Sequence, residues 1–421
     1  MAAVPDAVPV KRLSTPALVM TSVYTLGVNA VWLSYNLFIL PVQVQAVTTE
    51  ATKGIVLGAL VGVAISVAVI VNIIAGIVSD HSDSRFGRRR PMMTWGMLLT
   101  LPFILLPLFF PLTLFTVSLA YLGIQVCTNV SSGAFQPTLA DFVPEEQRGI
   151  SAGYKGVFTL IGSAIGVGAI TGLFAANLQS VAYILIAAIF LAMTLLNVFA
   201  MRPYDKPLLE AKPLKLREVL IDMFRIQKRS GGFFWFVFGS FLIYMGVSGF
   251  QFFGVYYIEG ILHITRPDDV DRAVQISGLL SLLLGMIFAI GAGLLSDKLG
   301  RRNIIIFSVL IASVVGLLFP FARTFAIFLF FSAFYAASNG VILSVDTALT
   351  SDLVPLEEAG KYMAYANLAI GVANGIAPPL FGLILNFHGA PTLGSFIAFF
   401  VVSSAFFIIS SIVMLLKVPN R

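Results

Sequence analysis

Apolar residues along this chain fall into long runs broken by short polar stretches, at about 16–40, 53–79, 91–110, 113–139, 152–175, 180–201, 232–262, 273–296, 303–320, 324–350, 362–386 and 392–416. Each run is near the ~20 residues that carry a helix across a bilayer. Runs that are apolar on every face point to lipid as the solvent, and a helix satisfies its own backbone there. The pattern predicts an all-α membrane protein with twelve spanning helices. An even number of spans puts both termini on one side.

Composition agrees. The chain is 58% hydrophobic and 11% charged, against about 25% charged in soluble proteins. A formal charge of +6 could suit a nucleic acid, but the placement of the charges argues otherwise. Of the 26 Lys and Arg, only Lys53, Arg266, Arg272 and Arg323 fall on the side opposite the termini. The positive-inside rule assigns the termini to the cytoplasm, with the plasma membrane (in bacteria the inner membrane) as the expected location. Lys11 and Arg12 lead into the first run without a suitable cleavage site, so that helix is expected to stay as an anchor. Cys127 stands alone, and His81, His263 and His388 are scattered. Neither a disulfide nor a metal or other cofactor is expected. The chain has no nucleotide-binding glycine loop and no nucleophile–base pair, which argues against a primary pump and against an enzyme. The acidic cluster Asp268, Asp269 and Asp271 reads as solvated surface.

A repeat divides the chain. Asp80, Arg85, Gly87, Arg88 and Arg89 match Asp297, Lys298, Gly300, Arg301 and Arg302. Downstream, Asp141-Phe142-Val143-Pro144 matches Asp352-Leu353-Val354-Pro355, and Tyr154 pairs with Tyr365 at nearly the same interval. Such a period implies duplicated six-helix bundles related by an axis along the membrane normal. The expected units are residues 1–201, a linker at 202–231, and residues 232–421. In the linker, Leu216, Val219, Leu220, Met223 and Phe224 recur at helical spacing among basic residues, as in an amphipathic helix on the inner leaflet.

Polar residues inside the apolar runs are the candidates for chemistry. Gln125, Asn129, Ser132 and Gln136 share one face of the fourth helix, and Asn29, Trp32 and Asn36 one face of the first. Tyr244, Ser248 and Gln251 line the seventh, with Tyr256 beyond them, and Tyr365, Asn367 and Asn374 lie on the eleventh. With Tyr154, these amide and aromatic groups suit a polyhydroxylated ligand, which needs hydrogen bonds in both senses and an apolar ring to stack on. Interhelical hydrogen bonding is the plainer alternative for any one of them. Charges at membrane depth are expensive and mark functional paths. Asp346 is the leading candidate for a proton- or substrate-binding carboxylate. Lys155, a possible ion-pair partner for it across the halves, and Glu259 complete the coupling set.

The doubled loops resemble the signature of the major facilitator superfamily, which lies between helices 2 and 3 and between helices 8 and 9. The longer first loop, Ser79 to Pro91, looks like that of the sucrose/proton symporter group and, less closely, of glycoside–pentoside–hexuronide symporters. Trp32 with Pro41-Val42-Gln43, and Asn129 with Leu139-Ala140-Asp141, are similar to the same group. Gln125 stands where those symporters carry an acid on helix 4. The Pro-containing glycine motif and the buried helix-4 Arg of many exporters have no match.

The resemblance implies an alternating-access carrier, expected to be monomeric. It also implies a cytoplasmic gate built from Asp80, Arg85, Gly87, Arg88, Arg89, Asp141, Arg148, Asp297, Lys298, Gly300, Arg301 and Asp352, whose contacts hold the outward-open state and break in the inward one. Proton-coupled sugar symport leads. A facilitator or exporter of an amphiphilic metabolite is the alternative, and a non-transporting sensor or channel the alternative of another class.

Overall fold

The computed structural model describes residues 12–82, 84–205, 231–353 and 359–419. The expected linker helix at Leu216–Phe224 and the side chains of Asp297 and Asp352 lie outside the described residues. Twelve helices are long and apolar enough to cross a membrane: α1 (Thr15–Val47), α2 (Lys53–Asp80), α3 (Arg90–Phe109), α4 (Leu114–Phe135), α5 (Glu146–Ala175), α6 (Gln179–Met201), α7 (Gly232–Gly260), α8 (Pro267–Gly293), α9 (Arg301–Phe321), α10 (Phe325–Thr350), α11 (Tyr365–Leu385) and α12 (Leu393–Lys417). No strand occurs among the described residues.

The packing repeats. In the first half α1 packs on α5 and α6, α3 on α4 and α6, and α2 on α4. In the second half α7 packs on α11 and α12, α9 on α10 and α12, and α8 on α10. Each pair in one half has its counterpart six helices later, so the fold is two pseudo-symmetric six-helix bundles. Between the halves α2 packs on α11, α5 on α8 and α1 on α7.

Local sequence explains the breaks. Gly87 and Gly300, the glycines of the repeated loop, both have positive φ, +104° and +86°. Only glycine adopts that region cheaply, which is why the repeat keeps it. Pro41 lacks the N–H that would bond Leu37, and α1 passes through a π turn at Tyr35–Ile39 just before it. A second π turn, Ile165–Ile170, interrupts α5 where Gly166 and Gly168 weaken the helix. Single π turns of this kind often mark functional sites.

Two ends can be distinguished. The basic end carries the repeated loops; the far end carries the α1–α2 and α11–α12 connections. At the far end the halves are tied together. The Gly54 N–H donates to Asn386 Oδ1 at 2.7 Å, and Asn386 Nδ2 to the Glu50 carbonyl at 2.8 Å. The Tyr256 hydroxyl donates to the Pro41 carbonyl at 3.3 Å, and Gln275 Nε2 to the Gly168 carbonyl at 2.6 Å. Small residues permit this approach: a Cβ at Gly58 would strike the Pro378 carbonyl, and one at Gly62 the Pro379 ring. Toward the basic end, Cβ atoms at Gly149, Gly153 and Gly156 of α5, or at Gly291 of α8, would meet open space. The halves are closed at the far end and parted at the basic end.

Candidate functional site

In the first half, α1, α2 and α4 build a chain of polar contacts at membrane depth. Tyr121 donates to Asn36 Oδ1 at 2.9 Å and accepts from Gln125 Nε2 at 2.8 Å. Trp32 Nε1 donates to Thr128 Oγ1 at 3.2 Å. Asn72 Nδ2 reaches Asn129 Oδ1 at 3.2 Å, while Asn129 Nδ2 donates back to the Gln125 carbonyl at 2.8 Å. Asn29 Nδ2 bonds the Thr25 carbonyl one turn earlier, at 2.8 Å. Gln125 is buried, whereas Asn29, Trp32, Asn36 and Asn129 are half-buried. Tyr121, Thr128 and Asn72 belong to this network although the sequence reading did not single them out. Tyr121 precedes Gln125 by one helical turn, so the periodicity held that signal.

The second half is built around Asp346. Its carboxylate is 4% exposed and accepts the Ser240 hydroxyl at 2.6 Å. Ser240 lies one turn before Tyr244 on α7, and Tyr244 is half-buried. Ser248 hydrogen-bonds Asn374 across α7 and α11. Ser240, like Tyr121, was not singled out from sequence.

Other candidates fall elsewhere. Gln136 is exposed just past the end of α4, where its N–H closes the last turn on the Ser132 carbonyl. Tyr154 packs against the cluster of Leu13, Leu18 and Val143. Gln251 and Asn367 are exposed, and Tyr365 sets its ring beside Tyr362, 6.2 Å between centroids. Tyr256 is buried at the far-end seam under Lys53, whose Nζ lies 4.7 Å from its ring centroid. Glu259 lies there too, 3.9 Å from Lys53 Nζ. The ion pairs of the described residues do not include Lys155 with Asp346; Lys155 Nζ lies 4.4 Å from the centroid of the Phe135 ring instead. Asp271, expected as surface, is buried, because α8 is already helical there and turns Val270, Ala273 and Val274 inward beside it.

The loops of the basic end form a network within the first half. Arg88 bonds Asp141 at 2.6 Å. Arg89, 2% exposed, bonds Asp141 at 2.8 Å and Asp80, and donates to Ser79 Oγ at 2.5 Å. Arg85 lies over the Phe86 ring. Asp205, just past α6, accepts the backbone N–H groups of Arg88, Arg89 and Arg90 at 2.8–2.9 Å and caps α3. In the repeat, Arg301 donates to the Ala348 carbonyl at 2.8 Å, Arg302 donates to the Val418 carbonyl at 2.7 Å, and Lys298 is exposed. Arg148 sits inside α5, not in a loop, and donates to the Val143 carbonyl at 3.3 Å. The pairs of Arg88 and Arg89 with Asp141 are formed while the basic end is parted. In this conformation they brace α2, α3 and the α4–α5 connection; they do not bridge the halves.

Comparison with known proteins decides the family. The model of the Major Facilitator Superfamily matches residues 17–295 and 274–421. The chain belongs to the Major Facilitator Superfamily. With its twelve apolar helices it is an integral membrane protein. "Vacuolar basic amino acid transporter 2" of Saccharomyces cerevisiae is 29% identical over 132 residues, 31% of this chain and 26% of that protein. "Multidrug resistance protein 2" of Bacillus subtilis is 32% identical over 129 residues, 31% of this chain and 29% of that protein. The matches thus span less than a third of the length of these relatives. Among solved structures, a bacterial homologue of the human lysosomal transporter Spinster, inward-facing and unoccupied, superposes with a TM-score of 0.73 at 13% identity, covering 96% of this chain and 98% of that one. A D-xylose–proton symporter superposes at 0.66 and 17% identity, covering 96% and 97%. At these identities the likeness is one of superfamily fold.

Proposed function

We propose that this transporter is a proton-coupled symporter of a small polyhydroxylated solute, a sugar or glycoside, in the sucrose-symporter branch of the superfamily. The observation that carries the reading is Asp346: a carboxylate 4% exposed, in a membrane-spanning helix, bonded by the Ser240 hydroxyl and by no cation among the described ion pairs. A carboxylate at that depth is costly when charged, so gaining a proton relieves it. The Asn36–Tyr121–Gln125 and Asn72–Asn129 contacts supply amide and phenol groups of both hydrogen-bonding senses, which a polyol needs.

The basic end is taken as cytoplasmic, by the positive-inside rule. The parted basic end then corresponds to an inward-open state, in a monomer of two bundles at residues 1–201 and 232–421 in the plasma membrane. Alternating access closes that end and opens the far one. One charge moving through 100 mV supplies about 2.3 kcal/mol, roughly fifty-fold accumulation.

A second reading is export of an amphiphilic metabolite. It is favoured by the aromatic cluster of Phe250, Tyr257, Phe319, Phe328 and Phe400 in the second half and by relatives named for drug resistance and citrate export.

Reconstituted vesicles with an imposed pH gradient test the proposal. Sugar should accumulate on the alkaline side. Asp346→Asn should abolish gradient-driven accumulation while exchange of sugar for sugar persists. Undiminished gradient-driven uptake by Asp346→Asn removes the coupling role.

A further inference from the structure

Three arginines in a row lead into α3, and their partners differ. Arg88 pairs with Asp141, and Arg89 with Asp141 and Asp80. Arg90 takes no carboxylate. No hydrogen bond or ion pair of the described residues involves its guanidinium, and its Nε is buried without an acceptor. A buried charged donor left unbonded is costly, and no described residue relieves it.

Arg90 forms one wall of a pocket of about 280 Å³ between α3 and α6. Phe86, Trp95, Leu98 and Val198 make up most of the rest. Phe86, Trp95 and Leu98 are exposed. The halves meet through α1, α2 and α5, so the pocket opens on the outer flank of the first bundle, toward lipid. Trp95 follows Arg90 by about 7 Å along α3. A tryptophan so placed marks the headgroup level of the membrane.

The charge at the mouth of the pocket has one sign. Arg85 lies over the Phe86 ring. Arg202 stands one turn beyond Val198 on the same face of α6. Neither takes part in an ion pair of the described residues. The carboxylate of Asp205 is turned away onto the backbone N–H groups of Arg88, Arg89 and Arg90, so the start of α3 offers a ligand no donors of its own there. A choline or ethanolamine headgroup would set its own cation beside Arg85 and Arg202. An anionic headgroup meets no such conflict.

We propose that this pocket seats an anionic phospholipid of the inner leaflet, with its phosphate on Arg90 and an acyl chain along Trp95 and Leu98. Basic pockets between spanning helices on the cytoplasmic side recognise lipid headgroups in this way. The site lies outside the pairs that Arg88 and Arg89 make with Asp80 and Asp141, and its occupant is a component of the membrane, not a transported solute.

The full chain carries three tryptophans, so Trp32→Phe with Trp235→Phe leaves Trp95 as the only reporter. In proteoliposomes, quenching of Trp95 by chain-brominated phosphatidylglycerol and by chain-brominated phosphatidylcholine gives their relative affinity for the pocket. Phosphatidylglycerol should be preferred about fivefold. Arg90→Gln should remove most of that preference and Arg90→Lys should retain most of it. Lys417→Gln, which removes a basic-end charge beside Trp235, should leave it unchanged. Millimolar sn-glycerol 3-phosphate should not displace the lipid. Equal quenching by the two lipids overturns the proposal. So does a preference that survives Arg90→Gln, or one that falls as far with Lys417→Gln and so reports only general attraction. Displacement by glycerol phosphate would give the site to a free phosphate. Shielding of Trp95 from both lipids would give it to a segment of this chain. Either result removes the lipid.

Discussion

Lys53 and Glu259 approach to 3.9 Å, Nζ to Oε2, although they stand on α2 and α7 in different halves of the transporter. Lys53 also bonds Glu50 at 2.8 Å and lies over the Tyr256 ring. With Asn386 bridging Gly54 and Glu50, this makes the far end a polar lock on top of a glycine–proline seam. The lock alone is worth little, because Glu50 and Glu259 are partly exposed and screened. The seam below it, where α2 and α11 approach through Gly58, Gly62, Gly375 and Pro379, carries more of the closure.

Widening that seam should open the far end. A side chain at Gly58 runs into the Pro378 carbonyl, and overpacking of this kind costs about 1–3 kcal/mol. That is enough to move a conformational equilibrium about tenfold or more. Tyr256 is 1% exposed beneath the lock, so a thiol in its place reports opening. In a Cys127→Ser, Tyr256→Cys background, adding Gly58→Leu should speed labelling by a membrane-impermeant maleimide about tenfold. An unchanged rate would mean that the seam does not hold this end shut.

The two arginines of the first loop should differ sharply. Arg89 is 2% exposed and serves Asp80, Asp141 and Ser79 together, whereas Arg88 is partly exposed and shares Asp141 with it. Arg89→Gln leaves Asp80 without a cation among the described ion pairs and Asp141 with Arg88 alone, and removes a buried guanidinium that also holds Ser79, at a cost of about 1–3 kcal/mol. Arg88→Gln leaves Asp141 still paired and should cost about 1 kcal/mol or less. Unfolding midpoints in detergent at one scan rate should fall by several degrees for Arg89→Gln and hardly move for Arg88→Gln. Equal shifts would contradict the division of labour.

Much of this architecture is legible in sequence because lipid imposes it. The apolar runs, the basic side and the doubled loop each follow from a constraint that acts on composition or on a single backbone angle, as at Gly87 and Gly300. Partners across helices are not legible that way. Nothing near Asp346 in the chain points to Ser240, and nothing in the first loop points to Asp205. Gln136 shares the face of Gln125 and Asn129 by count, but α4 ends at Phe135 and leaves it exposed. The fifth apolar run starts only at about residue 152 because the charges before it lower the hydropathy, yet α5 already runs through Arg148.

Asp205 and Gly87 supply the last test, since each explains the other. The Asp205 carboxylate, 4% exposed, takes three backbone N–H groups at the start of α3. Asp205→Ala leaves those donors without it and should cost about 2 kcal/mol. Asp205→Asn keeps one accepting oxygen and should fall between. Gly87→Ala adds about 1–2 kcal/mol of left-handed strain at φ +104° and drives its Cβ into the same carboxylate. Because the carboxylate makes part of that collision and the Asp205 carbonyl oxygen the rest, Gly87→Ala with Asp205→Ala should cost less than the two single changes added together. Strict additivity in unfolding midpoints would show that the glycine is required by its backbone angle and the nearby Asp205 carbonyl and owes nothing to the capping carboxylate.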